Sequence, residues 1–254
     1  MNKKALIITL TYTFFVLFVI IGVVLLVLRN TDISLNYTIS ENKIIEQEYD
    51  IDFDSLNINV DAAKIEVKNK NIDNIKVVVY SEKKNVKTKK EQDLNIKSNK
   101  SKKCKWLCIN KTIPRIVVYV PNNFNNNVII NNNMGNIKIE KLNKLKVKNN
   151  LGDVKINSVN IVNINNDLGS IKINNLNKYG NIKAEMGDIR INNLNITKNS
   201  QIVCELGDVK IGNTNEIYID ATVDLGDIKI NNNYRKSDIV LKIKNDMGDI
   251  KVDN

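Results

Sequence analysis

No histidine occurs anywhere in the 254 residues. No imidazole is therefore on hand as a general base, proton shuttle or metal ligand. Three cysteines, Cys104, Cys108 and Cys204, are too few and too unevenly spaced to frame a disulfide scaffold. Prolines number two and arginines four, and alanine is scarce. What fills the chain instead is Ile, Val, Asn and Lys. β-Branched residues favour strands and asparagine favours turns, so the composition predicts many short strands and little helix. Lysine and arginine outnumber the acids 38 to 28, a formal net charge of +10.

Charge is also missing from one long stretch. Ala5–Leu28 is a run of 24 residues without a charged side chain. As a helix it would reach roughly 36 Å, enough to cross a ~30 Å hydrocarbon core with some tilt. The run exceeds the 7–15 apolar residues of a signal peptide, and no small-x-small cleavage site follows it. An uncleaved transmembrane helix over 5–28 is expected. Lys3 and Lys4 precede the run, whereas Arg29 on its far side is soon offset by Asp32. The positive-inside rule then leaves residues 1–4 in the cytoplasm and sends 30–254 outside the cell membrane, with 29–43 as a linker.

Glycine is rare too, and its placement is informative. Seven of the ten glycines sit in one motif: Gly135, Gly152, Gly169, Gly187, Gly207, Gly226 and Gly248. Leu or Met always precedes this glycine. Asp follows it at Asp153, Asp188, Asp208, Asp227 and Asp249, with Asn136 and Ser170 in the other two copies. Two and four residues after each glycine stands Ile or Val, and the residue five before it is almost always apolar. Such alternation marks strands with one buried face. Its parity shifts at the glycine, so the residues one, three and five before it, and two and four after it, are expected to point inward. A corner with φ > 0 there, secured by the aspartate bonding its own backbone, would produce the shift. Each coil then reads strand, corner, short strand, Asn-rich turn. A coil of this length buries nothing alone, but stacked coils share a core. The predicted fold is all-β, a parallel β-solenoid of about seven or more short coils over 128–254, behind one N-terminal transmembrane helix.

Stacking turns each repeat position into a ladder. Three residues past the glycine stand Lys138, Lys155, Lys172, Arg190, Lys210, Lys229 and Lys251, seven outward cations that form a candidate anion-binding stripe. Two before it stand Asp167, Glu185, Glu205, Asp224 and Asp246. Mutual neutralisation of these charges on a solvated face competes with ligand binding as their role. A calcium site is not expected, because Asn136 and Ser170 interrupt the aspartates and calcium-binding solenoids repeat Gly and Asp more densely. The inward position three before the glycine holds Asn132, Asn149 and Asn166 in succession, which suggests a buried amide ladder, and Cys204 in the same series is a small core residue.

Residues 44–127 alternate similarly without the glycine, as degenerate first coils or a cap. They carry a lysine-rich stretch over 83–105, ten lysines against Glu91 and Asp93. It is expected to be a solvated excursion, or else a contact for an anionic polymer or lipid headgroup. Cys104 and Cys108 close that stretch. In a straight strand they would stand ~13 Å apart, so a disulfide between them needs a tight turn.

The Tyr119-Val120-Pro121 strand end, followed by Gly-Asp-Ile/Val-Lys-Ile coils such as 207–211 and 226–230 behind an apolar N-terminal run, resembles the bacterial "putative adhesin" family. The likeness covers roughly residues 50–254. It implies a surface-exposed parallel solenoid of otherwise unknown function, in a family with some members encoded beside envelope-stress regulators. It supplies no catalytic residue. The lysine-rich insertion and the Cys104/Cys108 pair depart from its pattern. The expected function is a non-catalytic, membrane-anchored surface protein without cofactor or metal. Its expected partners are an anionic wall polymer, another surface protein or further copies of itself joined end to end, and not nucleic acid. The end-to-end expectation rests on Asp253-Asn254, six residues past the last glycine, leaving an uncapped strand edge. An accessory role in envelope-stress signalling is the alternative. A carbohydrate-active β-helix enzyme is disfavoured, because the acids repeat evenly instead of converging.

Overall fold

The computed structural model describes residues 38–83, 85–98, 112–231 and 233–253. The expected membrane helix at 5–28 and the Cys104/Cys108 pair lie outside them. Among the described residues every regular element is a strand, and no helix is long and apolar enough to cross a membrane. The strands before the glycine repeats are β1 (Thr38–Ile39), β2 (Lys43–Tyr49), β3 (Ser55–Val60), β4 (Lys64–Lys70), β5 (Ile75–Tyr80), β6 (Val86–Lys90), β7 (Leu94–Ser98), β8 (Thr112–Ile113), β9 (Arg115–Pro121) and β10 (Asn127–Asn132). The repeats add β11 (Ile137–Leu151), β12 (Val154–Leu168), β13 (Ile171–Met186), β14 (Ile189–Leu194) and β15 (Ser200–Leu206). They end with β16 (Val209–Thr214), β17 (Tyr218–Leu225), β18 (Ile228–Ile230), β19 (Val240–Met247) and β20 (Ile250–Val252).

From Ser55 onward, all strands but β5, β6 and β8 form two parallel walls that meet along the corners. The wall before the corner runs β7, β3, β10, the second halves of β11, β12 and β13, then β15, β19 and β17. The wall after it runs β9, β4, the first halves of β11, β12 and β13, then β14, β16, β20 and β18. Nine rungs at ~4.8 Å give a stack roughly 38 Å from first to last. The parallel solenoid expected from the repeat is therefore present. One continuous core fills it, built from the Ile and Val two and four after every corner glycine but Gly226, such as Ile171 and Ile173, and from Val147, Ile164, Ile182, Ile202 and Ile243 five before it. In the end rung the expected inward Ile228 is exposed, because no further rung covers it.

Three features differ from the sequence expectation. Strands β11, β12 and β13 are 15, 15 and 16 residues long and run from one corner to the next, so these coils bend within the ladder and do not break at an Asn-rich turn. Buried Leu142, Val159 and Leu176 pack inside the bend and hold it to the core. The stretch before the repeats is both coil and cap. Strands β3 and β4 form a full rung with Ala63 at the corner, whereas β5 pairs antiparallel with β9 on one side and with β2 on the other. Much of the lysine-rich stretch is ordered as an antiparallel hairpin of β6 and β7, seated by buried Val86, Leu94 and Ile96. Lys87 and Lys89 alternate with its anchored side chains and are exposed.

The third difference is the order of the last coils. β19 pairs with β15 on one side and β17 on the other, and β20 likewise sits between β16 and β18. The C-terminal coil is thus internal, and the coil of Gly226 ends the stack. The open edge expected at Asp253-Asn254 belongs instead to β17 and β18. β19 offers the core Leu241 and Ile243, both buried, whereas β17 offers Ile219 and the half-buried Ala221 and Val223. The more apolar strand takes the doubly covered position, and the edge strand carries Asp220 and Asp224 outward, a charge pattern that discourages edge pairing.

Each of the seven corner glycines has positive φ, from 121° to 144°. A Cβ on Gly207 would lie 2.6 Å from the carbonyl oxygen of Gly187 in the next rung. Positive φ and backbone contact together exclude any side chain. Gly207→Ala should lower unfolding stability by more than ~2 kcal/mol in a denaturant titration. Gly180→Ala, whose Cβ would press on the Leu176 side-chain end and meet no backbone atom, should cost less than Gly207→Ala in the same titration.

Candidate functional site

The corner is built from hydrogen bonds between rungs. The Gly152 N–H donates to Leu168 O at 2.8 Å, Gly187 to Leu206 O at 2.8 Å, and Gly207 to Met247 O at 3.0 Å. The aspartate after the glycine bonds the next rung and not its own backbone as expected. Asp153 Oδ1 accepts from the Ser170 N–H at 3.1 Å, Asp188 Oδ1 from Asp208 at 3.0 Å, Asp208 Oδ1 from Asp249 at 3.1 Å, and Asp249 Oδ1 from Asp227 at 3.0 Å. Asn136 serves the same end, accepting from the Asp153 N–H at 2.9 Å. These acids are structural, and Asp227 begins the series at the exposed end. For Asp208, the Asp249 N–H and then Lys210 hold the carboxyl below its usual range.

The buried amide ladder is present. Asn132 Nδ2 donates to Asn149 Oδ1 at 3.1 Å, and Asn149 Nδ2 to Asn166 Oδ1 at 2.9 Å. Each amide also reaches its own corner carbonyl, as in Asn149 to Gly152 O at 2.9 Å. Cys204 substitutes with its thiol near Gly187 O and Gly207 O, at 3.5 and 3.6 Å. Burial foremost, then the charges of Asp188 and Asp208, push this thiol up to about 11, which suits an inert core residue.

The cation ladder forms in unbroken register. Lys138, Lys155, Lys172, Arg190, Lys210, Lys251 and Lys229 are partners rung by rung, in that spatial order. Lys155, Lys210 and Lys251 pair with Asp153, Asp208 and Asp253 at 3.2, 3.0 and 2.9 Å. Lys138, Lys172, Arg190 and Lys229 have no ion pair among the described residues. Lys138 also lines a cleft of about 470 Å³ with Glu66, Lys68 and Glu140, at the ladder's inner end.

Glu66 was not singled out by the sequence, since it lies in a coil without the glycine. It occupies the ladder position directly beside Lys138. Its carboxylate is buried and meets Lys64 at 3.1 Å, Lys68 at 2.8 Å and Arg115 Nε at 3.2 Å. Burial works to raise its pKa, but the bonds from Lys68 and Lys64 and the Arg115 charge outweigh that and lower it from 4.5 to about 2. Among the described residues no cluster of His, Cys, Asp and Glu could hold a metal ion.

The model of the Toastrack DUF4097 family matches residues 53–254, from the first complete rung to the end of the chain. This chain belongs to that family. The resemblance to adhesin-like solenoids of unknown function is thus borne out. No curated protein matches it. A Bacteroides fragilis structure described as a putative adhesin shares the Toastrack fold at a TM-score of 0.52 and 18% identity, over 84% of this chain and 99% of that one. Weaker likenesses are to a "putative cell adhesion protein" from Clostridium sporogenes, at 0.33 and 14% over 82% and 98%. A "putative lipid binding protein" from Parabacteroides distasonis matches at 0.43 and 15% over 85% and 100%.

Because the folded-state pKa of Glu66 is depressed, its contribution to stability is complete above 4.5 and lost as pH falls toward 2. The Toastrack stack should lose stability through that window in acid titrations followed by circular dichroism. Glu66→Gln should make the loss shallower, and an unchanged slope would remove Glu66 from the account.

Proposed function

We propose that this protein is a non-catalytic binding protein of the cell surface, tethered by the 5–28 segment and holding its Toastrack stack outside the membrane. The cation ladder is the binding surface, and a polymer with regularly repeated negative charge is its ligand. The observation that carries this reading is the register: seven cations in seven consecutive rungs, four of them without an ion-pair partner among the described residues. A ladder at ~4.8 Å spacing concentrates positive potential along one line, which a flexible polyanion can follow by local adjustment. Support for a non-catalytic role comes from the acids, which repeat evenly and in the corner series serve as acceptors for backbone N–H groups. The adhesin descriptions of the structural relatives agree with a binding role but name no ligand. The membrane tether follows from the 24-residue uncharged run and from Lys3 and Lys4 before it.

Lys172→Glu combined with Arg190→Glu should weaken binding of the detergent-solubilised full chain to long-chain polyphosphate by tenfold or more. The same pair should flatten the dependence of affinity on salt, since fewer counterions are released. Lys87→Glu with Lys89→Glu, on the β6 hairpin, should change affinity much less. Equal losses from both pairs would mean that net charge alone governs binding.

A further inference from the structure

The residue before each corner glycine is Leu or Met in every copy, and alternation places it inward. The structure places it outward in the last five rungs. Leu168, Met186, Leu206, Met247 and Leu225 are exposed by 41, 38, 40, 49 and 63%, and they are partners in unbroken register along the corner. Met134 and Leu151 continue the line, half-buried, toward the other end. The positive φ of the glycine turns the chain just after this residue and leaves its side chain on the ridge where the walls meet. Isolated exposed leucines need no explanation, but a continuous apolar line does.

Its flanks are acidic on both sides. The five rungs with an exposed Leu or Met are the five that carry Asp167, Glu185, Glu205, Asp246 and Asp224 immediately before it. On the other side stand Asp188, Asp208, Asp249 and Asp227, with Ser170 in the remaining rung. In the two rungs where the apolar residue is half-buried, Asn133 and Asn150 replace the acid. Four of the nine carboxylates are ion-paired, Glu185 and Glu205 with Lys183, Asp246 with Lys244 and Asp208 with Lys210. Asp167, Asp188, Asp224, Asp227 and Asp249 have no ion pair among the described residues.

We infer that this ridge is a docking surface for a cationic amphipathic helix of another polypeptide. Charge selects the occupant. Two copies meeting ridge to ridge would appose carboxylates to carboxylates, and an anionic lipid surface would be repelled. A partner with apolar residues flanked by Lys or Arg is matched on both sides. Spacing selects the helix. Rungs repeat every ~4.8 Å, close to the 5.4 Å between apolar residues on successive helical turns, whereas same-side residues of a strand are ~6.7 Å apart. Five rungs span ~19 Å, the length of about 13 helical residues. This surface is separate from the cation ladder, and its occupant has the opposite charge.

The test uses the full chain in zwitterionic lipid nanodiscs, with empty nanodiscs as reference, and fluorescence anisotropy of labelled peptides of about 14 residues. One peptide is an amphipathic Leu/Lys helix, a second has the same composition scrambled, and a third is the Leu/Glu counterpart. The amphipathic Leu/Lys peptide should bind at least tenfold tighter than the other two. Met186→Ser with Leu206→Ser should reduce that binding at least tenfold, and so should Glu205→Lys with Asp224→Lys, which should also improve binding of the Leu/Glu peptide. All four side chains are exposed or partly exposed, and an unchanged circular dichroism melt would verify folding. Equal binding of the scrambled peptide would overturn the inference, as would full binding by either variant. Cross-linking of two copies through the ridge would overturn it in favour of self-association.

Discussion

Everything in this structure depends on how closely one corner can lie on the next. Along the stack, a corner carbonyl packs against the Cα of the glycine in the adjoining rung, from Ala63 to Gly226, a contact that leaves no room for Cβ. Three further links span the same step: the glycine N–H to the carbonyl of the Leu or Met before the next rung's glycine, the acidic or amide side chain to the next rung's N–H, and the buried amide to the amide of the next rung. None of these joins residues of a single coil; only the buried amide's bond to its own corner carbonyl does. A coil by itself therefore has almost nothing to hold its corner, and stability accrues between neighbours, as expected of a solenoid. Cys204 is tolerated in the amide series because its thiol is small, buried and able to donate toward the same carbonyls.

The interchangeability of the coils explains how the chain can depart from sequential order. The seven glycine rungs share the corner glycine, an Ile or Val two and four residues after it and the same N–H and carbonyl pattern, so these rungs can pair with one another in more than one order. Chain length then decides what is reachable. Successive corners are 17 to 20 residues apart until the last step, from Gly226 to Gly248, which takes 22. The extra length precedes β19, in residues that include 233–239. Within it the Asn233 side chain bonds both the N–H and the carbonyl of Ile219, and Ser237 Oγ donates to Glu216 O. This return loop carries β19 back between β15 and β17, where its apolar side chains are covered on both sides.

Regular stacking also gives the surface its character. A single charged residue per coil is unremarkable, but in register it becomes a line of charge, and a single leucine becomes a ridge. The two lines lie only a few residues apart around each corner, cations on the wall after it and apolar side chains with carboxylates at the corner itself. The paired lysines, such as Lys155 with Asp153 and Lys183 with Glu205, are solvent-exposed pairs of small energetic weight. They leave both lines free to exchange partners. Glu66 is different, since three cations surround a buried carboxylate at the inner end of the ladder.

The all-β class, the corner at each of seven glycines, the inward Ile and Val positions, the buried asparagines and the cation register were all legible in the repeat. A parallel stack forces equivalent positions of successive coils into line, so one-dimensional spacing is enough to place them. The uncharged run at 5–28 carries its own meaning as an expected anchor and lies outside the described residues. What only the tertiary structure decided depends on non-local choices. The Leu or Met before the glycine reads as inward by alternation, yet positive φ at the corner turns it out. Ala63 stands in for a glycine and joins a coil no motif marks, because pairing with β10 and β11 sets its register. The final coil lies inside the stack because identical rungs carry no address, and burial of Leu241 and Ile243 on both sides outweighs sequence order.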